Sequence, residues 1–243
     1  MAVKSTWLHA SGLVVLLLFP HRGAQAATID LFEFAMNLDG AICTGAPCTG
    51  ANLAGFDLVT GLGSIGVSVS GAGSHGVGLY VDHEIDETLN TFFNESGSVA
   101  GTAPAGLSWE IDDPFLGDIY FNFVAGAPDD MNSAPSDADV SMALYWSFLL
   151  GASQTATLTF AIDETPPAAG FFLSHTDPES QATLYLSTSL RIADSPVGVP
   201  EPSIALLLVG FTGLAASRRF RRRSKLSLSP LPAGPKGRGR SRR

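Results

Sequence analysis

The sequence predicts an all-β protein whose main body is an antiparallel β-sandwich, jelly-roll-like in character, over residues 27–194. Three observations carry this. Apolar residues alternate with polar ones at period two in run after run, the mark of strands with one buried face. Clusters of Gly, Pro, Asp and Asn separate those runs, as turns between short strands do. Residues 27–199 are also long enough for one domain with a sizeable core.

The strands can be taken in order. In Ser64–Ser70, Ile65, Val67 and Val69 share a face. Val77, Leu79 and Val81 do so in Gly76–Asp82, and Ile119, Phe121 and Phe123 in Asp118–Phe123. The next run alternates Val140, Met142, Leu144, Trp146 and Phe148. Ala156, Leu158, Phe160 and Ile162 alternate with threonines, and Leu184, Leu186, Leu190 and Ile192 form the last face. Such strands in series point to a sandwich or jelly roll. The one helix expected is Asp86–Phe93, where Ile85, Leu89, Phe92 and Phe93 approximate a single face.

Both ends differ from this body. Lys4 precedes the apolar run Gly12–Phe19, and Ala24-Gln25-Ala26 has the small-residue pattern of a cleavage site. Residues 1–26 therefore read as a secretory signal peptide, cut between Ala26 and Ala27. Of the 23 acidic residues, all but Glu201 lie between Ala27 and Val199. Of the 14 basic residues, only Arg191 does. That segment carries 22 acidic and one basic side chain, a formal charge of −21. Salt bridges cannot hold it together, and it has nothing to neutralise a phosphate backbone, so nucleic acid is excluded as a partner.

Cys43 and Cys48 are the only cysteines. In an exported chain an even pair reads as a disulfide. The alternative, a metal or redox pair, lacks both a second cysteine pair and the Cys-x-x-Cys spacing. The small loop should add less than the roughly 3 kcal/mol of a 15-residue loop.

No cofactor is called for, but two acidic clusters could hold calcium, which takes six to eight oxygen ligands. The candidates are Asp82, Glu84 and Asp86 in one cluster, and Asp129 and Asp130 in the other, with Asp137 and Asp139 following. Neither matches an EF-hand loop, and surface acid on an acidic domain is the plainer reading. His83 could join Glu84 or Asp86 at a metal, against a strand-end histidine facing water. Catalysis has no comparable signal. His75, His83 and His175 lie beside no Gly-x-Ser-x-Gly elbow. With 22 acids, some pair will suit glycoside hydrolysis at any spacing. The chain is therefore not read as an enzyme.

After a linker at 195–198 comes Val199-Pro200-Glu201-Pro202, then an uncharged run from Ser203 to Ser217, then Arg218, Arg219, Arg221, Arg222 and Arg223. At about 1.5 Å per residue the run spans roughly 22 Å, somewhat short of the roughly 30 Å hydrocarbon core. Arginines reaching the interface could cover the gap, so one C-terminal transmembrane helix is expected. Their position places the tail inside and the preceding domain outside. Motif, span and arginine cluster in this order, over 199–223, resemble the PEP-CTERM sorting signal of bacterial exported proteins. The strands from Ser141 to Ile192 also resemble the membrane-proximal strands common in proteins that carry it. The chain departs from such signals in continuing beyond the arginines with a basic tail, 224–243, that should be disordered.

The resemblance implies export across the inner membrane and temporary membrane anchoring. It also implies cleavage near the motif by an exosortase, and a final place at the cell surface or outside the cell, in biofilm or exopolysaccharide matrix. Pro200, Glu201 and Pro202 would then be a recognition site for the processing enzyme. The rival class is a secreted carbohydrate-binding module or glycoside hydrolase on the same scaffold, with Trp109, Trp146 and Tyr185 as rings to stack on sugars. Trp146 sits on the apolar face of its run and reads as core.

Overall fold

The computed structural model describes residues 27–87 and 91–194. The chain divides into two units, one ending at Ser195 and the other beginning at Pro196. Within the first, the elements are β1 (Ile29–Leu38), β2 (Ala41–Thr44), β3 (Ala51–Phe56), β4 (Gly63–Ser70) and β5 (Gly73–Ile85). They continue with β6 (Ser96–Ala100), β7 (Leu107–Asp112), α1 (Ile119–Ala125) and β8 (Met131–Asn132). The last four are β9 (Ser141–Leu150), β10 (Gln154–Asp163), β11 (Phe172–Thr176) and β12 (Thr183–Asp194).

Two six-stranded sheets form, in the orders β2-β1-β5-β9-β7-β8 and β3-β4-β10-β12-β11-β6. Neighbouring strands are antiparallel except the short β7–β8 pair. The expected all-β class and antiparallel pairing are therefore present. The core lies between the sheets. Phe34, Met36, Val77, Leu79, Val81, Met142, Leu144 and Trp146 from the first sheet meet Ile65, Val67, Leu158, Phe160, Leu173 and Leu186 from the second. Each such side chain, fully buried, contributes roughly 1.5–3 kcal/mol. Trp146 is in this core, as its place in the alternation predicts, and its Nε1 donates to Thr188 Oγ1 at 3.0 Å.

Local chemistry explains the turns. Asp39 and Gly40 both take positive φ, 53° and 83°, between β1 and β2, the conformation an Asp-Gly hairpin turn requires. Cys43 and Cys48 form the expected disulfide, tying the end of β2 to the loop before β3.

Two expectations are corrected. Asp118–Phe123 is not a strand, because Ile119–Ala125 is helical. Apolar residues at 119, 121 and 123 fit either period, but Ile119 and Phe123, four apart, are fully buried while Phe121 is 75% exposed. What selects the helix is a tertiary demand. The outer face of the first sheet presents Ala35, Tyr80 and Ala143, and α1 covers them. Gly78 makes room, since a Cβ there would lie 2.9 Å from the Phe123 ring. Asn37 Nδ2 donates to the carbonyls of Phe123 and Val124 at 3.0 and 3.1 Å. Gly126, in the left-handed conformation, donates its N–H to the last turn.

Nor do the described residues of Asp86–Phe93 form a helix. β5 runs to Ile85, and Asp86 then adopts φ 53° in a bend. Residues 88–90 lie outside the described part. So do the expected signal peptide up to Ala26, the expected linker and sorting motif at Val199–Pro202, the apolar run, the arginine cluster and the tail. Among the described residues no helix is long and apolar enough to cross a membrane.

Candidate functional site

Beyond the patch under α1, the first sheet's outer face carries an unusual density of acid, and strand register places it there. β1, β5, β9 and β7 lie side by side. Asp82 of β5 pairs with Glu33 of β1 and with Ser141 of β9, and Ser141 pairs with Asp112 of β7. One step back, the equivalent row is Ala35, Tyr80, Ala143 and Glu110. One step forward, Asp30 pairs with Glu84. Asp139, two residues before Ser141, shares its face, because Val140 and Met142 both point into the inter-sheet core. Period-two geometry thus gathers Glu33, Asp82, Glu84, Glu110, Asp112 and Asp139 on one surface.

Several of these have lost water. Asp82, Glu110 and Asp139 are 1% exposed and Glu84 8%. Burial pushes the Asp82 carboxyl up to about 8, helped by the charges of Asp139 and Glu84. Glu84 rises to about 7 through burial and then Asp139. Asp139 also rises to about 7, through burial, then Glu95 and Asp113, while the Val140 N–H pulls the other way without reaching hydrogen-bond geometry. Among the described residues no donor reaches Asp82 Oδ1, Glu84 Oε2 or either Asp139 oxygen. The expectation of surface acid is corrected here. Tyr80 lies behind the row, its hydroxyl 3.2 Å from Ser141 Oγ, and burial followed by the charge of Asp82 raises its pKa.

A second group adjoins the first. Ligand oxygens of Glu110, Asp112 and Asp118 all lie within 4.8 Å of one another. Two of these acids are provided with donors. Glu110 accepts from Asn122 Nδ2 at 3.1 Å and from the Asp129 N–H at 3.3 Å, and Asp112 accepts from the N–H groups of Asp113 and Asp118 at 2.9 and 3.1 Å. The chain can wrap Asp112 because residue 117 is glycine, where a Cβ would stand 2.0 Å from Asp112 Oδ2. Exposed Phe115 and Leu116 flank this loop, and Phe115 meets the exposed Phe32 edge-on at 6.2 Å.

The inner side of the same end is polar too. His83 is fully buried, not facing water as a strand-end residue would, because it alternates with Val81 and Ile85 on the core face. Burial, and then His175, push it down to about 3. Gly61 allows its approach, since a Cβ there would lie 2.2 Å from His83 Nε2. His175 Nε2 stands 2.6 Å from Glu95 Oε2, both fully buried. Burial and the Asp177 charge raise Glu95, and burial lowers His175. One proton between the two leaves the pair neutral.

The structure therefore sorts the calcium candidates. Asp82 and Glu84 come together, joined by Asp139 from 55 residues further along the chain than Glu84. Asp86 turns away, its Oδ1 accepting the Thr28 N–H at 2.6 Å. Asp129 belongs beside Glu110, and Asp130 accepts the Trp109 N–H at 3.0 Å. His75 is engaged with Asp39, Nδ1 to Oδ2 at 2.9 Å. Trp109 packs on Phe171 at 5.9 Å, and Tyr185 on Phe172 at 5.6 Å, so each ring already has a neighbour. Glu33, Glu95, Glu110 and His175 carry no local signal in the sequence. Only the pairing of distant strands brings them in. Chemically, the outer row offers clustered hard oxygen ligands that either hold protons or surround a cation. No family model, no curated protein and no solved structure matches the chain.

Proposed function

We propose that this is an exported, non-enzymatic protein of the cell surface or extracellular matrix, associated with biofilm or exopolysaccharide. It is handled as the substrate of an exosortase-type sorting enzyme. Residues 1–26 direct export, a C-terminal helix holds the protein in the inner membrane, and cleavage near Val199-Pro200-Glu201-Pro202 releases the jelly-roll-like sandwich. The observation that carries this reading is the charge division of the chain: the −21 segment precedes Val199-Pro200-Glu201-Pro202 and the uncharged run, and the arginine cluster follows them, so the two suit opposite sides of a membrane.

C-terminal mass spectrometry of the surface form tests it. The wild-type C-terminus should lie near the motif, with the arginine cluster absent. Pro200→Ala combined with Glu201→Ala and Pro202→Ala should leave the chain unprocessed in the membrane fraction. A surface form still ending at Arg243 refutes the proposal.

A further inference from the structure

The structure assigns a cation site that the sorting reading neither needs nor supplies: Asp82, Glu84 and Asp139 bind a hard divalent cation, calcium, on the outer face of the first sheet. Register gives the site its shape. Asp82 pairs with Ser141 at the last step of antiparallel β5–β9. Glu84 lies two residues on along β5, on the same face as Asp82, and Asp139 lies two residues before Ser141, just ahead of β9. The charge of Asp139 bears on both Asp82 and Glu84. Three short acidic side chains so placed can converge on one point. Glu33 and the Ser141 hydroxyl extend the row on either side of Asp82.

The second observation is independent of the clustering. These groups are at least nine-tenths buried, and four of their oxygens have no hydrogen-bond donor among the described residues. Buried polar atoms without partners are rare, and each calls for an unplaced proton, water or ion. Among the described residues no lysine or arginine can serve, because Arg191 is the only one there and lies on β12 of the other sheet. The adjoining Glu110, Asp112 and Asp118 cluster more tightly, but backbone and amide donors already occupy Glu110 and Asp112. Asp82, Glu84 and Asp139 do not form a group within that 4.8 Å limit. Mutual repulsion separates such oxygens in the absence of a cation, and side-chain rotation would close them around one.

Ligand chemistry selects the ion. Carboxylate and hydroxyl oxygens suit calcium, magnesium or manganese rather than zinc or copper. Calcium accepts irregular shells completed by water, whereas magnesium demands a near-ideal octahedron. A row of carboxylates on a twisted sheet is an irregular shell.

Terbium is the probe, with the full chain purified in detergent and freed of metal by chelator. Excitation of tyrosine and tryptophan should give saturable terbium emission, because the Tyr80 ring lies beside the row, and excess calcium should displace it. Asp82→Asn and Asp139→Asn, each near-isosteric, should each weaken terbium binding at least tenfold, while Asp163→Asn on β10 of the other sheet leaves it unchanged. Circular dichroism of each variant reports the fold separately. Absence of saturable emission overturns the assignment. So does unaltered binding in folded Asp82→Asn or Asp139→Asn, or a loss of binding confined to Asp163→Asn.

Discussion

Replacing Asp82 by asparagine should change stability in opposite directions with and without calcium. In metal-free protein the ionised carboxylate is a liability. Its folded pKa is about 8 against 3.8 for the free side chain, and 1.36 kcal/mol per pH unit converts that interval to a ceiling of roughly 6 kcal/mol at alkaline pH. Relaxation of neighbours and entry of water reduce this, so about 2 kcal/mol is expected, or roughly 4–8 °C in Tm for a domain of this size. The sign follows from linkage. A carboxyl whose folded pKa is raised contributes stability that is fully present below its unfolded pKa and is lost as pH rises through the folded one. In chelator the wild type should therefore lose stability progressively from about pH 4 to about pH 8, as the unfolded chain releases protons that folded Asp82, Glu84, Glu95 and Asp139 still hold. Asp82 faces Asp139, Glu84, Glu33 and Glu95, with Tyr80 behind. None of these supplies positive charge. His83 and His175, lowered to about 3, act in the opposite sense, losing stability as pH falls below about 6.5. The window above that value isolates the carboxylates. Thermal melts followed by circular dichroism, at pH 5 and pH 8 and with chelator or calcium, read all four cases. The Asp82→Asn substitution should stabilise at pH 8 in chelator, about a third as much at pH 5, and destabilise relative to wild type in saturating calcium. Destabilisation at pH 8 in chelator would refute the reasoning, because it would mean that the folded protein favours the charged form of Asp82.

Two further perturbations test the scaffold that holds this face. Phe123→Ala removes the fully buried ring that α1 sets over Gly78 and Tyr80. It should cost about 3–5 kcal/mol in denaturant melts, and a loss below about 1 kcal/mol would show that the helix does not pack there. Cys43→Ser with Cys48→Ser opens only a small loop. By chain entropy it should cost about 2 kcal/mol, leaving a folded domain with an unchanged far-ultraviolet spectrum.

The strands most legible in the sequence are those with one wet face. β4, β10 and the first half of β12 alternate cleanly because each buries only its inner side. β1 is not legible. Its residues Phe34 to Asn37 are all buried, and a register shift between Leu31 and Glu33 breaks the phase. The same double burial hides the outer side of β5. α1 reads as a strand for a related reason: seven residues are too few for a helical period to outweigh an alternating one.

Composition and local pattern alone determined the all-β class, the cysteine pair and an acidic segment that can form almost no salt bridges with lysine or arginine. Those properties need only neighbours in the chain, since side-chain alternation is a local consequence of strand geometry. The sequence also drew attention to Asp82 and Glu84, but as surface acid. Tertiary structure decided that these two meet Asp139, that Asp86 and Asp130 do not, and that the meeting place excludes water. Register between distant strands and the covering of one sheet face are set by packing across the whole domain. That packing turns ordinary acidic residues into a row of unsatisfied buried oxygens.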